Sequence, residues 1–143
     1  MKKHGYISLL ICGLLVGLAV SAQAQSKTRT FNVPFDFTIG TTLLRAGHYT
    51  VQQAIPDANP QALSFRSANG SAPAVSMGIR LEAVNTVQQP KLVFRKYGDR
   101  CFLSQVWLSA GDSGTEIRQG KLERELARGG ASPRTATVIA DIP

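Results

Sequence analysis

The chain has 143 residues, 16 Lys and Arg against 9 Asp and Glu, 43% hydrophobic residues, two cysteines and two histidines. So few cysteines exclude a dense disulfide framework and a metal site built from four thiolates. The length fits one compact domain, and the basic excess is too small and too dispersed to identify a nucleic-acid binder.

The N-terminus opens with Met1-Lys2-Lys3, continues as an apolar run over residues 6–20, and ends in Ala22-Gln23-Ala24. A positive n-region, an apolar h-region and a small-x-small site together predict a signal peptide over residues 1–24. The apolar run is shorter than the roughly 20 residues that cross a bilayer, and Gly13 and Gly17 interrupt it. Cys12 lies inside the run, without the small residues that precede a lipidated cysteine. The expectation is a secreted or periplasmic protein with no membrane span after leader cleavage, its mature part a single β domain over residues 25–143. That part keeps 14 Lys and Arg against 9 Asp and Glu, a net charge of +5, with His48 and Cys101 as its single histidine and cysteine. One imidazole excludes a two-histidine copper plane, and one thiol excludes an intramolecular disulfide.

From residue 30 onward the apolar positions recur every second residue, the period of a strand with one buried face. Phe31, Val33, Phe35, Phe37 and Ile39 share one side of a first strand, in which Pro34 marks an edge or bulge because it cannot donate to a ladder. A turn at Ala46-Gly47 leads into a second strand, residues 48–54, with Tyr49 and Val51 inward. Residues 56–60 form a loop. Residues 62–67 and 74–84 read as two strands joined through Ala68-Asn69-Gly70, since Asn-Gly readily takes the positive φ of a tight hairpin. Val75, Met77, Ile79 and Leu81 then share one face, which reads as core.

Residues 91–97 and 100–108 flank Gly98-Asp99 and predict a hairpin with a two-residue turn. Counting outward pairs Tyr97 with Arg100, Lys96 with Cys101, Arg95 with Phe102 and Phe94 with Leu103. One face carries Leu92, Phe94, Cys101, Leu103 and Trp107; the other mixes Val93, Tyr97, Phe102, Val106 and Leu108 with Arg95, Arg100 and Ser104. Gly111-Asp-Ser-Gly114 reads as a turn by composition. Lys121-Leu-Glu-Arg-Glu-Leu-Ala-Arg128 predicts a short helix burying Leu122 and Leu126, stopped at Gly129-Gly130. Residues 135–140 are β-branched and return to the sheet. The fold class expected is all-β, an antiparallel sandwich or small barrel of about six to eight strands with one short C-terminal helix.

Val33-Pro-Phe-Asp-Phe-Thr38 with Gly40, Leu44-Arg-Ala-Gly-His-Tyr-Thr-Val51, Lys91-Leu-Val-Phe94 with Tyr97-Gly-Asp-Arg100, Phe102-Leu-Ser-Gln-Val-Trp107 and Glu123-Arg-Glu-Leu126 run along nearly the whole mature chain. In these motifs the chain resembles a family of small secreted bacterial all-β proteins of no assigned function. The resemblance implies a constant fold, with a glycine after the first strand, Ala-Gly before the second and a fixed hairpin, and implies no mechanism. Arg45 stands where such proteins usually have proline, and Cys101 where an aromatic is common, which speaks against a catalytic thiol.

Several groupings invite a chemical reading. His48, Asp99 and Ser113 follow the chain order of chymotrypsin-like proteases, but that chemistry needs a positioned base and an oxyanion hole on a two-barrel fold about twice this length. Met77 with His48 and Cys101 suggests copper, yet Met77 is in period with apolar neighbours. Asp36 and Glu82 have no evident carboxylate partner for glycosidase work. Asn69-Gly70-Ser71 matches a glycosylation sequon and is equally explained as a turn. No catalytic residue, metal ligand or cofactor is assigned. Arg95, Lys96 and Arg100, near the hairpin turn, are the one candidate anion-binding patch, against the alternative of a solvated sheet face.

The functional expectation is a non-catalytic β module, structural in the envelope or binding a ligand or polymer. Its partner would be an envelope component or an apolar or anionic ligand, and not nucleic acid. The alternative is a small extracytoplasmic hydrolase or thiol enzyme whose site the residues do not identify.

Overall fold

The computed structural model describes residues 27–56 and 58–142, so the leader with Cys12 and the expected cleavage site lie outside the described residues. Ten strands and one helix are present among the described residues. The expectation of an all-β fold with one short helix therefore holds, with more strands than anticipated.

The first predicted strand is two. β1 (Thr28–Val33) stops at Pro34, whose missing N–H interrupts the ladder, and β2 (Phe37–Ile39) resumes after Asp36. Each half finds different partners. β1 pairs antiparallel with β4 (Gly47–Gln53), Phe31 opposite Tyr49, whereas β2 forms a hairpin with β3 (Thr42–Leu44) around Gly40, whose φ is 60°. Asp36 holds the break in place by accepting from the Ala46 N–H at 2.8 Å and from Arg45 Nη1 at 2.9 Å. Tyr49 donates its hydroxyl to the Arg45 carbonyl at 2.6 Å, locking the same turn from inside.

β5 (Gln61–Ser67) pairs with β4, and β6 (Ala74–Val87) pairs with β5 after a loop in which Gly70 has φ 81° and Asn69 Oδ1 accepts from the Ser71 N–H at 3.0 Å. The pairing and the connecting loop, residues 68–73, follow the expectation. The facing of β6 is inverted. Gly78 is buried where a Cβ would come within 2.6 Å of the Glu116 carbonyl oxygen, so this side of β6 faces inward and the alternate residues face out. Val75 is 68% and Met77 52% exposed, and Ile79 is exposed as well. The assignment of Met77 to the core is thereby corrected: backbone approach at Gly78 outweighs the apolarity of its neighbours.

β7 (Lys91–Tyr97) and β8 (Arg100–Trp107) form the expected hairpin, turning at Gly98 with φ 60°. Tyr97–Arg100, Lys96–Cys101, Arg95–Phe102 and Phe94–Leu103 pair as counted. Beyond Leu103 the register slips by one residue, so that Val93 faces Gln105 and Leu92 faces Val106. This β-bulge turns the rest of β8 over. Val106 and Leu108 join the core with Leu92, Phe94 and Leu103, while Trp107, also buried, packs on the opposite face against Gly114. Trp107 is therefore interior, though not on the face of Phe94 to which alternation assigned it.

Gly111-Asp-Ser-Gly114 is not a turn but the first part of β9 (Gly111–Ile117), paired with β6 and with the distal half of β8. The reason is a contact between strands: Gly114 lies under the Trp107 indole of β8, where a Cβ would be 2.6 Å from a ring carbon. The helix, α1 (Lys121–Arg128), falls where predicted, and β10 (Arg134–Ile139) pairs antiparallel with β7.

All ten strands belong to one sheet, antiparallel except for a single parallel bridge, Thr38 with Phe102, between β2 and β8. The sheet is open and strongly curled, and its end strands approach each other where the Asp141 N–H donates to the Thr30 carbonyl at 2.9 Å. The concave side is filled by side chains. Phe35, Phe37, Tyr49 and Phe94 meet edge to face, with centroids 5.1 to 5.4 Å apart, among Phe31, Leu63, Phe65 and Leu103.

Candidate functional site

The convex side of the β7–β8 hairpin is covered by α1. The pattern of this helix predicts burial of Leu122 and Leu126; instead Leu122 is 42% exposed and Leu126 only half-buried, while Glu123 is 2% exposed. Arg95 on β7 explains the inversion. Its Nε donates to Glu123 Oε1 at 2.5 Å, and this pair, rather than an apolar stripe, fastens the helix to the sheet. Tyr97 and Phe102 lie on the same face with ring centroids 5.8 Å apart, and burial together with the Glu123 carboxylate raises the Tyr97 pKa. The start of the helix is clamped separately: Gly120 approaches Gly40 so closely that a Cβ would lie 3.0 Å from the Gly40 carbonyl carbon.

Between α1, the β2–β3 hairpin and the start of β8 these contacts leave a cleft of about 610 Å³. Buried Phe102 forms its floor, and Leu122 and Leu43, the latter 59% exposed, contribute its walls. Arg100, Lys121 and Glu125 stand at its rim. Lys121 lies 4.0 Å from Glu125. Arg100 is exposed and has no acidic partner within ion-pair distance among the described residues.

The three basic residues singled out in the sequence are thus distributed rather than gathered. Arg95 is committed to Glu123, although its second terminal nitrogen is buried without a hydrogen-bond partner. Lys96 lies on the other side of the strand, its Nζ 5.4 Å from the centroid of the Phe35 ring. Arg100 alone is available at the cleft. The cleft itself was not legible in the sequence, because its walls come from residues about 80 positions apart and its shape depends on the Arg95–Glu123 pair.

The groupings with chemical overtones are also placed. His48, exposed on β4, has its Nδ1 3.6 Å from an Asp141 carboxylate oxygen. Ser113 is on β9 opposite Glu82, and Asp99 sits in the β7–β8 turn, so the protease-like order is not a triad. Burial pushes the Cys101 thiol pKa up, which disfavours the reactive thiolate. Among the described residues no three His, Cys, Asp or Glu side chains converge as metal ligands. Other depressions include a groove of about 670 Å³ where β1 meets the segment after β10, a hollow of about 400 Å³ lined by Lys96, Asp99 and Arg134, and a polar notch of about 20 Å³ near Gln53, Gln61 and Thr115. Thr115 donates to Gln61 there, so two buried polar groups satisfy each other. No family model, curated protein or solved structure matches this chain.

Proposed function

We propose that the mature chain is an exported, non-catalytic binding module that holds its ligand in the outer cleft beneath α1 and not within the curled sheet. The observation that carries this reading is the contrast between the two sides of the β7–β8 hairpin. On the concave side Leu92, Phe94 and Leu103 are packed to near-zero exposure, leaving no room for a guest. On the convex side an apolar floor and two solvent-facing leucines form a cleft within the roughly 300–1,000 Å³ typical of small-molecule sites. The buried Cys101 thiol and the separation of His48 from Ser113 support binding over catalysis. The leader-like N-terminus supports export.

Titration of the purified mature protein with decanol, a neutral apolar probe, followed by amide and methyl NMR shifts, tests the location. Shifts concentrated at Leu43, Phe102 and Leu122 are expected; shifts centred on Leu92, Phe94 and Leu103, or none, would overturn the assignment. Intact mass of the exported protein should correspond to a chain beginning at Gln25.

A further inference from the structure

Resting on the binding reading above, we infer that the cleft accepts a single-chain anionic amphiphile of the fatty-acid type, its carboxylate on Arg100 and its hydrocarbon tail along Phe102, Leu43 and Leu122. Arg100 and Phe102 are two residues apart on β8, so their side chains project from the same face, and both line the cleft. The rim charges are unequal. Lys121 has Glu125 beside it, whereas Arg100 has no acidic neighbour within ion-pair distance among the described residues, which leaves an uncompensated positive charge facing the cleft. A guanidinium presents a planar fork of donors that matches a carboxylate with two parallel hydrogen bonds. A tail lying along the floor would remove Leu43 and Leu122 from water, the apolar gain that the unliganded protein forgoes.

Two features favour one chain over a membrane surface. The cleft has a volume of about 610 Å³, that of a small-molecule site. Its walls are also held before any ligand arrives, by the approach of Gly120 to Gly40 and by the Arg95–Glu123 pair, so binding orders little of the protein.

The test compares decanoate with decanol, below the micelle concentration of the acid, by calorimetry on the mature protein. Decanoate should bind one per chain and about tenfold tighter than decanol, the contribution expected of one charged hydrogen-bonded contact. Arg100→Gln should lower decanoate affinity about tenfold, to the level of decanol, and so abolish that difference. Leu122→Asp should weaken both ligands without unfolding the protein, because Leu122 is partly exposed and an acidic residue suits the first helical turn. Equal affinity for the two ligands, or no effect of Arg100→Gln, overturns the amphiphile assignment; the cleft reading then survives only if Leu122→Asp still weakens decanol. Failure of both ligands to bind, or indifference of both to Leu122→Asp, overturns both readings. Sedimentation with phosphatidylglycerol vesicles completes the comparison: binding that is lost in Arg100→Gln would overturn the single-chain ligand in favour of a lipid surface, and absence of binding agrees with it.

Discussion

Glu123 shows how one buried charge decides the orientation of a helix. A carboxylate at 2% exposure is tolerated only with a partner, and Arg95, itself largely covered, supplies it at 2.5 Å. Removing one member leaves the other buried and unpaired, so Glu123→Ala should lower the unfolding free energy in urea by about 3 kcal/mol. The double variant Arg95→Met, Glu123→Leu should recover most of that loss, since an apolar pair of similar volume carries no desolvation penalty. Lys121→Ala, which touches only an exposed pair, should change stability by no more than about 0.5 kcal/mol. Equal losses for the single and double variants would show that packing, not charge, fixes the helix.

Among the elements, the break between β1 and β2 has the clearest electrostatic signature. The Asp36 carboxylate accepts from the Ala46 N–H and from Arg45, and these bonds hold its pKa below the ordinary value of 3.8. A carboxyl whose pKa is lower folded than unfolded stabilises the fold fully above its unfolded value and loses that contribution as pH falls through the folded one. Thermal melts of the parent should therefore show an acid-limb decline below about pH 4 that Asp36→Asn reduces, with the two proteins responding in parallel near neutrality. Unchanged acid limbs would remove Asp36 as the tie. The β7–β8 hairpin shows the complementary, steric control. Its turn and first four pairs follow from residue spacing, and the bulge after Leu103 then exchanges the faces of Val106 and Trp107.

At the scale of the whole molecule, stability rests chiefly on buried apolar side chains, above all the concave core, and solvent-exposed apolar residues contribute little. Phe94, fully buried among Phe35, Phe37 and Leu103, should cost about 3–5 kcal/mol when replaced by Ala. Met77→Ala, on the convex side of β6, should stay within about 0.5 kcal/mol of the parent. Chemical denaturation of the two variants checks the facing of β6 directly: a large loss at Met77 would mean that this face is covered in solution. Trp107→Ala should be destabilising as well, through its packing on Gly114.

What the amino-acid order determined by itself was local: the period of two, the Gly98-Asp99 turn, the Tyr49 and Val51 facing, the limits of α1 and the return of the last strand to the sheet. These depend on φ, on alternation and on neighbours a few residues apart. Tertiary structure decided whatever depends on contacts across the sheet. Gly78 against Glu116 and Gly114 under Trp107 are close approaches between strands, and they turned Met77 outward and made an apparent turn into β9. Arg95 and Glu123 lie 28 residues apart, and only their meeting exposes Leu122 and opens the cleft beside Arg100. A pattern read along the chain records which residues are apolar, but a buried ion pair and a missing Cβ act through the partner opposite, whose identity the pattern does not contain.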